Sequence, residues 1–111
     1  MPTQTDLNIP LSALEFADDG AAMAVAETWN TTQVGVLLQT VIERHANAQL
    51  DGQVLHFVSV SYDVSADVVA GETVRFQSRI DRRTRTLIFA SGLASQGDHH
   101  LLKATVVFRR D

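Results

Sequence analysis

The stretch Thr32–Gln49, TQVGVLLQTVIERHANAQ, decides how the rest of this 111-residue chain is read. Val34, Leu37, Leu38, Val41, His45 and Ala48 recur at the spacing that puts side chains on one face of a helix. Asn30, Thr31 and Thr32 precede this stripe, and their oxygens can accept from the unpaired amides of a first helical turn. Asp51-Gly52 ends the segment. Upstream, Asp18-Asp19-Gly20 reads as a turn and Ala21–Trp29 as a short first strand. Residues 1–12 are polar and broken by Pro2 and Pro10, the pattern of a loosely held arm.

Downstream the period changes from helical to two. Strands are expected over Val54–Ser65, Thr73–Asp81, Leu87–Ser95 and His100–Arg110, with no second helix between them. Val54, His56, Val58, Val60, Tyr62 and Val64 fall on one face of the first of these, opposite Ser59, Ser61, Asp63 and Ser65. In the next, Val74, Phe76 and Ile80 oppose Arg75, Gln77, Arg79 and Asp81. Asp81-Arg82-Arg83-Thr84-Arg85 and Gln96-Gly97-Asp98-His99 read as hairpin connections, which makes these strands antiparallel neighbours. An 18-residue helix is about 27 Å long, and a nine-residue strand spans about 30 Å. The lengths match, so the helix can lie along the concave side of a twisted sheet. An α+β domain with an antiparallel sheet wrapped around one long helix is predicted over residues 1–111.

Composition narrows the function classes. With 45% hydrophobic residues the chain supports one small core. There is no cysteine, which removes disulfides and thiol nucleophiles. The N-terminus lacks a secretory pattern and no apolar run approaches membrane-spanning length, so a soluble cytoplasmic protein with no membrane partner is expected. The net charge of −4 conceals a split: residues 1–72 carry ten acids and one base, residues 73–111 eight bases and three acids. A basic C-terminal half can dock an anion or simply clothe the wet face of a sheet. Nucleic acid is not the expected partner, because no aromatic side chains are interleaved with the arginines. No zinc-type spacing of histidines, phosphate-cradling glycine loop or serine elbow occurs. His45 reads as a satisfied core or interface residue, and His56 as facing inward.

Three stretches carry a family resemblance: Trp29-Asn30-Thr31-Thr32-Gln33-Val34-Gly35 before and into the helix, Gly71-Glu72-Thr73-Val74-Arg75-Phe76, and Arg83-Thr84-Arg85-Thr86-Leu87 with the closing Leu102–Phe108. From Glu27 onward the chain resembles the hot-dog fold acyl-CoA thioesterases of the phenylacetyl-CoA thioesterase-like group. The resemblance implies a homodimer or homotetramer that hydrolyses an acyl thioester to acid and thiol at the subunit boundary. It implies no cofactor beyond the coenzyme A carried by the substrate. It also implies a backbone amide near Gly35 for the thioester oxygen, Asn30 orienting the substrate, and a helix carboxylate as base or nucleophile.

The family pattern, an asparagine followed by His-Gly-Gly, is altered here. Gln33 stands at the histidine, Val34 at the first glycine and Gly35 at the second. In that register the acid position falls on Ile42; Glu43 occupies it only if Gly35 is taken as the first glycine. On a helical wheel counted from Val34, Gly35 and Ile42 lie together at about 100° and about 80°, while Glu43 lies at about 180°. Each candidate has a structural alternative. Glu43 is the catalytic carboxylate or a solvated helix charge, Gly35 an oxyanion site or a point of close packing, Asn30 a substrate ligand or a helix cap. Arg82, Arg83 and Arg85 suit coenzyme A phosphates, or form an exposed basic tip. Val36, Ile42 and Tyr62 are the expected acyl-chain contacts. If catalysis is absent, the same architecture serves a non-catalytic protein binding a thioester or another apolar small molecule.

Overall fold

A computed structural model describes residues 8–17, 20–50 and 53–111. The expected turns at Asp18-Asp19 and Asp51-Gly52, and residues 1–7 of the expected arm, lie outside them. The described residues form β1 (Glu15–Phe16), β2 (Ala21–Val25), α1 (Thr31–Ala48), β3 (Leu55–Val64), β4 (Thr73–Arg83), β5 (Leu87–Gln96) and β6 (His99–Arg110), with a 3-10 turn at Leu11–Ala13. All strand pairs are antiparallel, in the order β1-β2-β4-β5-β6-β3. The chain leaves the sheet after β2, runs through α1 and returns at the opposite edge as β3. β1 was not anticipated; two residues are too few for an alternation signal.

α1 begins where its capping residues predict. Asn30 Oδ1 accepts from the Gln33 amide at 2.9 Å and Gln33 Oε1 accepts from the Asn30 amide at 2.8 Å, a reciprocal capping box. The buried face of α1 comprises Val34, Gly35, Leu37, Leu38, Val41, Ile42 and Ala46. It packs on the sheet against Val74 and Phe76 of β4, Ile88, Ala90 and Ala94 of β5, and Leu102, Val106 and Phe108 of β6. Burying side chains of this size stabilises the fold by about 1.5–3 kcal/mol each. His45 joins this face through its Nδ1, 3.0 Å from Ser78 Oγ on β4, and is the satisfied histidine expected. Gly92, mid-strand in β5, lets the helix approach the sheet: a Cβ there would sit 2.8 Å from Ile42 Cδ1.

Of three register shifts in the sheet, those in β3 and β4 bear on side-chain directions that strict alternation predicts. In β3 the register shifts between Phe57 and Ser59. Phe57, not His56, turns to the helix side, its ring 4.9 Å from that of Phe108. His56 pairs with Arg109 on the outer face, where its Nε2 meets Asp111 Oδ2 at 2.6 Å. Val60 packs on the core, whereas Val54 and Val58 are exposed. In β4 the shift lies between Ile80 and Arg82. β4 also extends to Arg83, so the expected five-residue connection shortens to Thr84-Arg85-Thr86. The Thr84 hydroxyl accepts from the Leu87 amide at 2.9 Å and closes that turn.

Candidate functional site at the start of the helix

The capping box leaves a defined vacancy in hydrogen bonding. The first amides of a helix have no intrahelical acceptor. Those of Asn30 and Gln33 are satisfied by each other's side chains, and the Val34 amide reaches the Asn30 carbonyl at 3.1 Å. The amides of Thr31 and Thr32 have no acceptor among the described residues. Both residues border a pocket of about 180 Å³. Gly35 and Val36 form its helix wall, Tyr62 and Val64 its β3 wall, and Leu102 its remaining side. It joins an apolar lining to the first turn of α1, at the positive end of the helix dipole. Unpaired amides at such an end stabilise negative charge developing on an oxygen.

Gly35 stands at this pocket for a packing reason. It is the fifth residue of α1, so the helical ladder gives its amide the Thr31 carbonyl as partner. A Cβ on Gly35 would lie 3.2 Å from Tyr62 Cε1. The missing side chain lets the tyrosine ring rest on the helix backbone. The Tyr62 hydroxyl donates to Gln39 Oε1 at 2.6 Å and approaches the Gly35 carbonyl at 3.3 Å. Burial of this ring raises the Tyr62 pKa above its ordinary value of 10.0. The part played by Gln39 was not anticipated. The available signal was its position four residues after Gly35, hence on the same helix face.

The other candidates lie apart from this pocket within one chain. Asn30 is engaged as the cap. Ile42, expected among the acyl contacts, has no exposed surface; it is a core residue wedged against Gly92. It was expected beside Gly35 as an acyl-chain contact; instead it faces the sheet and does not line the pocket. Glu43 lines a separate concavity of about 410 Å³, with Leu11, Leu14, Phe16 and Arg44. The Arg44 guanidinium lies 4.0 Å from the Phe16 ring centroid beside it. The three arginines do not share one tip: Arg82 sits on the outer face with its guanidinium 5.9 Å from the Phe89 ring centroid. Arg83 donates to Gln49 Oε1 at 3.0 Å at the far end of α1, and Arg85 occupies the turn. A broader concavity of about 750 Å³ lies across the sheet, on the face away from α1, where Arg79, Lys103 and Asp63 meet Ser91 and Leu93. It has no access to the helix-start amides. Among the described residues, no group of three or more His, Asp or Glu side chains is placed to hold a metal ion, and no helix is long and apolar enough to cross a membrane.

β3 is the edge strand on the pocket side, ten residues long, and large apolar residues lie on it and beside it. Phe57, Val58, Tyr62 and Val64 on the strand, and Val54 just before it, all keep substantial exposure. Long apolar edges are ordinarily covered, because unpaired strand groups recruit another strand.

No protein-family model and no curated protein matches the chain. Solved structures do match in fold. A phenylacetic acid degradation-related protein from Ralstonia eutropha JMP134 superposes with a TM-score of 0.71 at 21% identity, over 93% of this chain and 92% of that one. A Bacillus halodurans protein solved with CoA gives 0.75 at 16% identity, over 88% and 71%. Zebrafish thioesterase superfamily member 2 gives 0.76 at 13% identity, over 88% and 80%. Identities this low establish the shared architecture alone. With its six-stranded antiparallel sheet closed around one long helix, the chain has the hot-dog fold and is similar in structure to thioesterases that share it.

Proposed function

We propose that the protein is a hot-dog thioesterase that binds an acyl-CoA, or a similar thioester, at the start of α1 and hydrolyses it to the free acid and thiol. One observation carries this reading: an apolar pocket bordered by Thr31 and Thr32, whose amides have no acceptor among the described residues. A thioester carbonyl seated there would place its oxygen against amides that gain most when that oxygen becomes negative. A carboxylate base then takes a proton from water as the water oxygen bonds to the carbonyl carbon. Collapse of the tetrahedral intermediate breaks the C–S bond, and the departing thiolate recovers the proton.

Glu43 is the base in this proposal, supplied by a second copy of the chain. The apolar β3 edge supports a homodimer paired there. Antiparallel pairing of two β3 edges sets the two helices antiparallel, so the start of one lies beside the later turns of the other. The same geometry would bring the partner copy's Arg83 and Arg85 toward the coenzyme A phosphates, with Asn30 fixing the first helical turn on which the carbonyl rests. Hydrolysis of an aromatic and medium-chain acyl-CoA panel tests the reading. The Glu43→Ala variant should lose about 10²–10⁴-fold in turnover, the usual contribution of a general base. Unchanged rates would remove Glu43 from the mechanism.

A second reading, binding without catalysis, is favoured by the burial of Ile42 and by the separation of Glu43 from the pocket within one chain. It predicts acyl-CoA binding with no turnover on any member of the panel.

A further inference from the structure

The Tyr62 side chain crosses from the edge strand to the helix. Its ring lies on Gly35, and its hydroxyl reaches one turn further to Gln39 at 2.6 Å. A ring held at both ends in this way cannot swing aside without losing a hydrogen bond and its contact with the helix backbone. It therefore forms the wall of the pocket that faces Gln39. The pocket on the Thr31 side of this bar measures about 180 Å³. An apolar cavity of ~150 Å³ accommodates a benzene molecule, so the space suits about six carbons.

We propose that Tyr62 is the specificity-determining residue of the site, a bar that limits the acyl group to about six carbons. This rests on the thioester reading of the same pocket and adds the class of substrate, short acyl thioesters. Gln39 is a positioning residue: it holds the bar closed and touches no substrate atom. Removing the ring adds the space it fills to the pocket, on the side toward Gln39. Longer chains then find apolar wall where wild type offers a tyrosine.

The test is calorimetric titration with S-alkyl coenzyme A thioethers from ethyl to dodecyl, which bind without being hydrolysed. In wild type, affinity should rise about fourfold per added methylene, as burial of each methylene predicts. It should level or fall beyond about hexyl. In Tyr62→Ala the rising limb should continue through octyl and decyl. In Gln39→Ala, which frees the hydroxyl but keeps the ring, the limit should soften without disappearing. Tyr62→Leu carries the same test should the alanine variant melt before it can be titrated. Folded Tyr62 variants that keep the wild-type length profile would overturn the bar. A folded wild type that binds none of the thioethers would overturn the thioester reading, and the proposal with it.

Discussion

Helix and sheet approach closely at Gly92, and adding one methyl group there tests the packing that fixes α1 over the sheet. In Gly92→Ala the new Cβ would lie 2.8 Å from Ile42 Cδ1 and 2.9 Å from both Ile42 Cγ1 and Leu38 Cδ1. Ordinary carbon contacts need about 3.5–4.0 Å, so the atoms must part by more than half an ångström. Ile42 and Leu38 are fully buried, with no solvent to rotate into. Overpacking of this kind costs about 1–3 kcal/mol, against which alanine's better strand propensity returns a fraction of a kcal/mol. The expected net loss is about 1–2 kcal/mol, a fall of about 4–10 °C in Tm for a domain of this size. Ile42→Val removes the Cδ1 in the way and alone costs about 0.5–1.5 kcal/mol. The double variant should therefore be more stable than the sum of the two single losses predicts, by about 1 kcal/mol of coupling. Urea unfolding of the four proteins measures this. Strict additivity, or a Gly92→Ala variant as stable as wild type, would refute the close approach.

Two further outcomes follow from the helix start. Asn30→Ala removes half of the capping box and should cost about 1 kcal/mol in urea unfolding, with Asn30→Asp restoring most of it. Tyr62 is the chain's only tyrosine, so phenolate absorbance reports it alone. Because burial raises its folded-state pKa, the unfolded chain releases this proton first as the pH climbs. The stability that Tyr62 contributes is therefore fully present below about pH 10 and is lost above it. Wild type should lose Tm more steeply than Tyr62→Phe in that alkaline range, and the absorbance midpoint of the folded protein should lie above 10.0.

The fold was legible because its signals are local and agree with one another. Asn30 marks the helix start within one residue. The stripe from Val34 through Val41 marks its buried face, and the alternation of Val74, Phe76 and Ile80 marks the inner side of β4. What escaped lies where a strand bulges or outruns its pattern. A bulge inserts a residue without any compositional mark and reverses the side chains on one side of it, so His56 was assigned the wrong face; Arg82 and Arg83 were read as one tip because β4 runs on to Arg83 where a turn was expected. The site was only half legible for another reason. Helix geometry correctly separates Glu43 from Gly35, yet a wheel cannot distinguish a direction into a cleft from one into the core. Ile42 points into the core because Gly92, fifty residues later, leaves room for it there. Tyr62 was legible as an apolar contact, but its hydrogen bond to Gln39 depends on how strand and helix meet.

The most direct measurement is amide chemical-shift mapping of the isotope-labelled protein as S-butyl coenzyme A is added. The largest changes should fall on Thr31, Thr32, Gly35 and Val64, with Tyr62 beside them, if the thioester site lies at the helix start. Changes centred instead on Ser91, Leu93 and Lys103 across the sheet, or none at saturating ligand, would contradict it.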